Sequence, residues 1–358
     1  MYRRITLVCS VIKYGGVGKI LSFVADTLLS EGWSIEVLSL QNEERPDFLP
    51  EGASFISIPK VMSNNKLFWR IKKLRLIRTE LKRISTKTIC TFGSEPSVMV
   101  RLATLGMKDV TVVSAERSDP YTLPKFWRIM SSWAYSNSDY CVFQLEKQRD
   151  FYGEKVRKKS YVIPNAFIPK GEVKETRERR KVIVSAGRFV YQKGYDTLIR
   201  AFAIVNRTHP DYMLELYGGG DEQPLYERII EENNLKGNVK LFGYVNNISE
   251  IISGSSVFVL SSRFEGIPNV LIEAMSAGVP TVATDCTPGG PAFLTDNGKR
   301  GLLVPVDDVK AMAKAINRII EDSELSKQLS TSGREICVIL DKDKIARQWV
   351  DMFNKIVN

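Results

Sequence analysis

The sequence predicts two parallel α/β domains joined by a polar linker. Three observations support this prediction: a length of 358 residues, an alternation of short apolar runs with amphipathic segments, and one polar interruption near the middle. At about 150 residues per domain, the length fits two domains. Strands that alternate with helices are typical of parallel sheets covered by helices. We place the domains at 1–165 and 170–340, and we expect a last helix at about 343–358 to pack back on the first domain.

The first 40 residues predict a strand, a glycine loop, a helix and a second strand. Residues 5–11 are an apolar run, and 14–18 contain three glycines. Residues 20–29 have helical periodicity, and Gly32 follows where a helix C-terminus favours glycine. With a strand at 34–40, this is a βαβ unit with a right-handed crossover.

The same alternation restarts after the middle of the chain. Residues 170–181 are almost wholly polar and suit a linker. Strands are then predicted at 182–186, 213–217 and 257–261, with helices between them. The pattern therefore predicts a second parallel sheet.

Composition narrows the functional class. Lys and Arg total 51 against 41 Asp and Glu, a formal charge of +10, which favours anionic partners. The five cysteines are scattered and form no C-x-x-C pair, which argues against a disulfide framework or a zinc site. No apolar run reaches the roughly 18 residues that span a bilayer. We therefore expect a cytoplasmic protein.

Two loops that follow predicted strands are candidate anion sites, because doubly wound domains bind ligands at the carboxyl ends of strands. Gly15 and Gly16 would let the backbone approach a phosphate, although a tight turn without a ligand explains them equally well. Arg188 and Lys193 stand between the strand at 182–186 and the next helix. A guanidinium and an ammonium there suit a diphosphate, with two solvated surface cations as the alternative.

The segment 263–275 carries the strongest pattern. Glu265 lies in a predicted loop, Pro268 opens a helix, and Glu273 is on that helix. Glu265 could then reach a sugar hydroxyl, and Glu273 could accept hydrogen bonds from a ribose diol. The first amides of the helix should be free to face an anion; they belong to Asn269, Val270 and Leu271.

Glu265 and Glu273 resemble the Glu-x7-Glu signature of glycosyltransferase family 4. Members are retaining enzymes of GT-B fold, in which two Rossmann-like domains face a central cleft. The resemblance covers nearly the whole chain. Besides the two glutamates it rests on the glycine loop, Ile163-Pro164-Asn165, Gly187-Arg188 with Lys193-Gly194, and Tyr217-Gly218-Gly219-Gly220.

The resemblance implies a transferase that moves a hexose or N-acetylhexosamine from a nucleotide sugar, preferably a UDP-sugar, to a saccharide acceptor in surface polysaccharide synthesis. Arg188 and Lys193 would hold the diphosphate, Glu265 would contact the transferred sugar, and Glu273 would bind the ribose. Neither a metal nor a further cofactor is implied, because fixed cations and amides can stabilise the leaving group. The other donor-binding positions would be Gly15, Gly16, Gly218, Gly219, Phe242, Gly243, Asn269, Val270 and Leu271.

The chain departs from many members of this family on the acceptor side. Its single histidine, His209, lies in the second domain. Residues 114–120 stand where many members have a histidine, and they resemble the Ser-Glu-Arg-x-Asp-Pro variant of bacterial surface-polysaccharide enzymes. Glu116 or Asp119 could orient the acceptor hydroxyl, and Arg117 could bind a phosphate or carboxylate. A structural pair of Glu116 with Arg117 is the alternative, and the catalytic base stays unassigned.

Residues 66–87 predict a basic amphipathic helix. Between 60 and 87 lie ten Lys or Arg and one acid. Phe68 and Trp69 fall outside its apolar stripe, which favours contact with an anionic membrane over an entirely intramolecular role. The acceptor would then be lipid-linked and the protein would act at the inner face of the cytoplasmic membrane. No nucleic-acid recognition motif accompanies the charge.

Three further interpretations were weighed. Asp341-Lys342-Asp343 spells a metal-binding D-x-D, but it precedes a predicted helix and suits a cap. A nicotinamide-dependent oxidoreductase would explain the first glycines, yet it needs an acid after the second strand that 38–40 lacks. A sugar-nucleotide-binding protein without catalysis is the remaining alternative.

Overall fold

The computed structural model divides the chain into two compact units. The N-terminal unit comprises Met1–Ala166 and Asp343–Asn358, and the C-terminal unit comprises Phe167–Lys342. The structure describes residues 3–11, 16–41, 43–59, 66–84, 86–168 and 179–357, with only the backbone of 66–68. Gly15, the side chain of Phe68 and most of the predicted linker lie outside this description.

The N-terminal unit contains a sheet of seven parallel strands in the order β3-β2-β1-β4-β5-β6-β7. Most central positions are buried on both faces, as near-continuous apolar runs require. The chain order reverses between β1 and β4, so the carboxyl ends of these two strands form the switch point where ligands bind in such sheets. The strands are β1 Arg4–Cys9, β2 Ser34–Ser39, β3 Ser54–Ser57, β4 Thr88–Phe92, β5 Thr111–Ala115, β6 Tyr140–Phe143 and β7 Ser160–Val162.

Helices connect these strands, and two of them test the sequence pattern. The first helix buries Ile20, Val24 and Leu28 and ends before Gly32, whose φ is 77°, as predicted. The second is shorter than the predicted 66–87 and leaves Ile71 42% exposed, so its apolar stripe is not wholly covered. The helices are α1 Gly16–Ser30, α2 Lys66–Ile84, α3 Ser94–Ala103, α4 Lys125–Asn137, α5 Glu146–Phe151 and α6 Glu154–Arg157.

The C-terminal unit contains a second parallel sheet, of six strands in the order β10-β9-β8-β11-β12-β13. Its switch point lies between β8 and β11, which pair in parallel. The loops that follow these two strands carry Arg188, Lys193 and Glu265 of the predicted donor site. The strands are β8 Arg180–Ala186, β9 Met213–Tyr217, β10 Val239–Phe242, β11 Ser255–Leu260, β12 Thr281–Thr284 and β13 Leu302–Val304.

Two helices of the C-terminal unit begin with a side-chain cap. The Asp308 side chain accepts from the Ala311 amide, and the Asp322 side chain accepts from the Leu325 amide, which satisfies free donors at two helix starts. The helices are α7 Tyr195–Thr208, α8 Gln223–Glu232, α9 Ile248–Ser253, α10 Asn269–Ser276, α11 Gly290–Leu294, α12 Val309–Glu321, α13 Ser323–Gly333 and α14 Ile336–Ile339.

The last helix, α15 Lys342–Val357, packs in the N-terminal unit. Trp349 and Phe353 are fully buried, with the Trp349 ring 6.1 Å from Phe92 and the Phe353 ring 6.0 Å from Trp33. Asp341 directly precedes this helix, at the position a cap occupies. Among the described residues, no helix is long and apolar enough to cross a membrane.

Candidate active site

The loops after β8 and β11 are fixed to one another in the C-terminal unit. Gly194 has φ 60°, and a Cβ added there would overlap the Ser261 carbonyl oxygen, so only glycine fits. The Ser261 hydroxyl donates to the Lys193 carbonyl at 2.7 Å. Lys193 therefore has a defined position at the switch point of the sheet.

Lys193 and Glu265, predicted as separate catalytic residues, form an ion pair. Their side chains are 15% and 11% exposed, so the pair is partly shielded from water. The Ser262 hydroxyl donates to the same Glu265 carboxylate at 3.0 Å, and the Glu265 amide donates to the Thr287 carbonyl at 2.8 Å. A Cβ on Gly187 would lie 3.0 Å from Lys193 Cε, so this glycine leaves room for the lysine stem.

Arg263 anchors the loop that carries Glu265. Its guanidinium lies 2.7 Å from Asp196 and 2.9 Å from Asp307, and 4.2 Å from the centre of the Tyr191 ring. Burial opposes the charge, but hydrogen bonds to the two aspartates outweigh it and raise the pKa of Arg263. The arginine is thus fully occupied and positions Glu265 from two residues away.

Arg188 differs from both of these cations. It is exposed, and within the described part of the chain its side chain has no hydrogen bond or ion pair. It follows β8 directly, at the carboxyl edge of the sheet. Its guanidinium is therefore available to an anion that approaches this edge.

A glycine loop after β9 packs directly on the loop after β8. A Cβ on Gly218 would overlap the Gly187 carbonyl oxygen, and one on Gly220 would overlap the Phe189 carbonyl oxygen. The Gly219 carbonyl accepts from the Phe189 amide at 2.8 Å. Because no side chain intervenes, the backbones of these loops lie in direct contact at the edge of the sheet.

Glu273 lies on α10, and Glu265 precedes that helix, as the sequence predicts. The Ser249 hydroxyl donates to the Glu273 carboxylate at 3.1 Å. The expectation for Leu271 is wrong: its amide donates to the Pro268 carbonyl at 3.1 Å, and its side chain is fully buried. The first turn of α10 is tightened by this bond to the carbonyl three residues earlier, so the Leu271 amide is occupied, whereas a regular α-helix leaves its first amides free. Asn269 and Val270 lie at the helix start, as predicted.

Glu116, predicted to face the acceptor, is instead a buried structural carboxylate in the N-terminal unit. It is 0% exposed and accepts six hydrogen bonds of 2.5–3.2 Å. Burial, together with this carboxylate, raises the pKa of Tyr135 and of Tyr152 well above the usual value, so both remain donors. The expectation for Glu116 is therefore wrong: its oxygens are occupied by the protein. The donors are Ser94, Arg117, Ser118, Tyr135 and Tyr152.

Arg117 and Asp119 are also turned inward. Arg117 is 9% exposed, and its guanidinium carbon lies 5.8 Å from the Phe92 ring centre and 5.2 Å from that of Trp349. Burial lowers the pKa of Arg117 to about 10. Asp119 is 4% exposed and accepts from the Tyr121 amide at 2.9 Å. In the alternative interpretation the Glu116 and Arg117 side chains pair, but Glu116 accepts from the Arg117 backbone amide instead of its guanidinium.

Gly16 is the first residue of α1 and is exposed. A Cβ added there would meet nothing within 4 Å, so the fold itself does not require glycine at this position. Gly15 lies outside the described residues.

Residues 169–336 match the family model described as Glycosyl transferases group 1. An uncharacterized glycosyltransferase of Haemophilus influenzae is 24% identical over 344 residues, which cover 94% of this chain and 95% of that one. The chain is a glycosyltransferase.

Two other proteins resemble this glycosyltransferase along almost its whole length. A Campylobacter jejuni protein named as an alpha-1,4-N-acetyl-D-galactosaminyltransferase acting on a saccharide linked to PP-undecaprenol is 22% identical and covers 99% of both chains. The crystal structure of Anabaena HepE in complex with UDP-glucose has a TM-score of 0.79 at 17% identity, covering 98% of this chain and 99% of that one. Two parallel sheets with alternating helices match the GT-B fold, which confirms the predicted fold class.

One residue at a sheet edge of this glycosyltransferase, Glu95, was not predicted from the sequence. Glu95 begins α3 at the switch point of the N-terminal unit, 40% exposed, and accepts from the Ser10 hydroxyl at 2.8 Å. Lys73, almost buried, lies 3.8 Å from it. In the C-terminal unit, Tyr244 is 75% exposed and donates to the Gly219 carbonyl at 3.1 Å, beside Gly243 and Phe242. Glu95 belongs to no motif, so only the topology identifies it, whereas Tyr244 adjoins the positions already predicted for base recognition.

Proposed function

We propose that this glycosyltransferase moves a hexose or N-acetylhexosamine from a UDP-sugar to a saccharide acceptor with retention of anomeric configuration. The observation that carries the proposal is the Lys193–Glu265 pair beside the exposed Arg188, at the switch point of the C-terminal sheet. Two cations and a carboxylate at one sheet edge suit a diphosphate bonded to a sugar. The complex of HepE with UDP-glucose supports the choice of nucleotide.

In the proposed mechanism, Arg188 and Lys193 bind the diphosphate oxygens. Cleavage of the bond between the anomeric carbon and the diphosphate oxygen leaves charge on UDP, and the two cations stabilise that charge. Because Lys193 is already held by Glu265, little reorganisation is needed when the charge develops. Because Glu265 pairs with Lys193, its carboxylate would lie close to the bound diphosphate. In this position it would accept a hydrogen bond from a hydroxyl of the sugar near the anomeric carbon.

Glu273 and the two sheet-edge loops complete the proposed donor site. Glu273, already an acceptor from Ser249, has a second carboxylate oxygen that can accept from the ribose diol. The amides of Asn269 and Val270 face phosphate at the start of α10. Base recognition falls to Phe242 and Gly243, and Gly16, Gly218 and Gly219 allow the backbone to approach the donor closely.

The proposed acceptor is a lipid-linked saccharide of a surface polysaccharide, at the inner face of the cytoplasmic membrane. The name of the Campylobacter relative, with its PP-undecaprenol acceptor, supports this class. Because the carboxylate oxygens of Glu116 are occupied by hydrogen bonds within the protein, we propose that Glu95 binds the acceptor hydroxyl instead. Its half-exposed carboxylate lies at the switch point of the N-terminal sheet, and Ser10 and Lys73 fix its position.

Thermal unfolding with UDP, GDP or NAD tests the donor assignment. A ligand at about 100 times its Kd stabilises the folded state by roughly 2.7 kcal/mol. We expect UDP to raise the melting temperature of the wild type and NAD to leave it unchanged. Lys193→Met should remove most of the UDP effect. Lys181→Met is the matched control, because Lys181 is an ion-paired lysine near the start of β8, at the end of the strand opposite the loop that carries Lys193.

Kinetics test the chemistry. Glu265→Gln should retain UDP binding and slow transfer by about a hundredfold, as for other removed transition-state contacts. The coupling constant of the anomeric proton in the product reports retention or inversion. Stabilisation by NAD alone, or full activity in Glu265→Gln, would contradict the proposal.

A further inference from the structure

Helix α4 turns apolar side chains toward solvent. Phe126 is 52% exposed and Ile129 is 59% exposed, three residues apart and therefore on one face of the helix. The buried side of the same helix carries Ser131, Ala134 and Tyr135. An ordinary surface helix has the opposite arrangement, with its large apolar residues inside. The exposed face of α4 thus adds little to the core and remains available for another surface.

The start of α2 adjoins this face. The Arg70 guanidinium carbon lies 5.6 Å from the centre of the Phe126 ring, a cation–π contact between the two helices. Ile71, the next residue of α2, is 42% exposed. The two helix starts therefore form one surface, which we name the α2–α4 surface; it consists of Arg70, Ile71, Lys125, Phe126, Arg128 and Ile129.

The charge of this surface has one sign. Lys125 and Arg128 are exposed, and α4 contains no acidic residue. Eight of the 19 residues of α2 are Lys or Arg, against one acid, Glu80, which pairs with Arg83 at 2.8 Å. Apolar side chains that lie beside exposed cations suit a surface that is anionic at its boundary and apolar beneath. Water alone would hydrate the cations but would leave the apolar side chains exposed at a cost in free energy.

The position of the surface within the unit is also informative. In a parallel sheet, each crossover helix starts near the carboxyl edge of the strand before it. The starts of α2, α3 and α4 therefore lie at the edge that carries Glu95 at the start of α3. A lipid surface held by α2 and α4 would present a lipid-linked head group at this edge.

We propose that the α2–α4 surface docks on an anionic phospholipid bilayer. Phe126 and Ile129 enter the boundary between head groups and acyl chains, and Arg70, Lys125 and Arg128 bind the phosphates. The sequence predicts membrane contact for 66–87 alone, because the exposed apolar face of α4 becomes apparent only from the structure. The inference extends the lipid-linked acceptor of the proposed function, but docking itself requires neither donor nor acceptor.

Flotation of the whole protein with vesicles tests the proposal. We expect binding to vesicles of equal parts phosphatidylglycerol and phosphatidylcholine, weakened by salt, and little binding to pure phosphatidylcholine. The double variant Phe126→Ser with Ile129→Ser should lower the partition coefficient about tenfold, from the apolar area it removes. Arg70→Gln with Lys125→Gln and Arg128→Gln should abolish the preference for the anionic lipid.

The matched control replaces exposed apolar residues elsewhere. Phe293 and Val338 are 39% and 75% exposed in the C-terminal unit, and the double variant to Ser should bind vesicles like the wild type. Melting curves with UDP show separately whether each variant is folded and binds nucleotide. Equal binding by the Phe126/Ile129 variant and the wild type overturns the proposal. A different result would also overturn the proposal: a wild-type protein that does not bind vesicles but forms a dimer, which only the Phe126/Ile129 variant disrupts. The surface would then contact a second copy of the chain.

Discussion

Glu116 and Glu95 show how two carboxylates near one sheet edge acquire different roles. Glu116 follows β5 and accepts hydrogen bonds from the hydroxyls of four residues and from two backbone amides. Glu95 lies in the first turn of α3 and is 40% exposed; among the described residues it accepts from the Ser10 hydroxyl and lies 3.8 Å from Lys73. A buried carboxylate needs several hydrogen-bond donors. A carboxylate whose oxygens are all occupied by the protein therefore indicates a structural role, whereas a partly exposed carboxylate with few donors near a switch point indicates a ligand-binding role.

This contrast gives a paired prediction for Gln substitutions. Glu116→Gln should lower the free energy of unfolding by about 3 kcal/mol, because buried hydroxyl and amide donors lose their charged acceptor. Glu95→Gln should lower the unfolding free energy by less than Glu116→Gln, because Glu95 is 40% exposed and the amide can still accept from Ser10, although the almost buried Lys73 loses its charge partner. It should nevertheless lower transfer to the lipid-linked acceptor while leaving hydrolysis of the donor by water unchanged. Urea unfolding and UDP release with and without acceptor measure both; equal loss of transfer and hydrolysis in Glu95→Gln would refute the acceptor role.

The sequence correctly predicted the positions of residues whose secondary structure is determined by residues close to them in the sequence. Glu265 and Glu273 fall on a loop and on the following helix because Pro268 and the apolar run after it fix the helix start. The role of Glu116 depends on Tyr135 and Tyr152, which are 19 and 36 residues away. Local pattern carries no information about such donors. The occupied amide of Leu271 was missed for a different reason, since tightening of a first turn leaves no mark on the sequence.

At the scale of elements, glycines fix how closely the loops of the C-terminal unit approach. Gly290 opens α11, and a Cβ there would overlap the carbonyl oxygen of Gly266, the residue after Glu265. The start of α11 therefore packs directly against the backbone of the loop that carries Glu265. Gly16 opens α1 in the other unit, but an added Cβ would meet nothing within 4 Å.

These two glycines predict opposite outcomes for the same substitution. Gly290→Ala should lower the unfolding free energy by about 1–3 kcal/mol, the usual cost of an overpacked site, and should slow transfer by displacing Glu265. Gly16→Ala should leave the unfolding free energy nearly unchanged, since alanine favours a helix. If Gly16 meets the donor, transfer falls without loss of stability. Unfolding and initial rates are the measurements, and a stable, fully active Gly290→Ala would contradict the steric argument.

Most elements were predictable from the sequence because buried parallel strands and amphipathic helices impose their own periods. Helix α1 and the strands on either side of it follow this rule. Helix α2 does not follow it completely. Its apolar period continues through Ile71, yet that residue is 42% exposed. A period predicts an apolar face, but whether another element covers that face depends on the whole fold.

At the scale of the whole molecule, the chain returns to its first unit after completing the second. Helix α15 adds Ile345, Trp349, Met352 and Phe353 to a core that also contains residues of β1, β2 and β4. The N-terminal unit therefore requires residues from both ends of the chain. The residues of the proposed donor site on the second sheet, Arg188, Lys193, Glu265 and Glu273, all belong to the C-terminal unit.

This arrangement predicts that the two units can be destabilised separately. Trp349→Ala removes a fully buried ring that lies against Phe92, Phe353 and Arg117, so the N-terminal unit should lose about 3–5 kcal/mol. Differential scanning calorimetry should then resolve an early transition, and UDP should raise only the later one. Trp33 also lies in the N-terminal core, so Trp33→Ala should lower the same transition and not the other. A single transition that shifts as a whole with UDP would instead mean that the units unfold together, because ligand binding in one unit would then stabilise both.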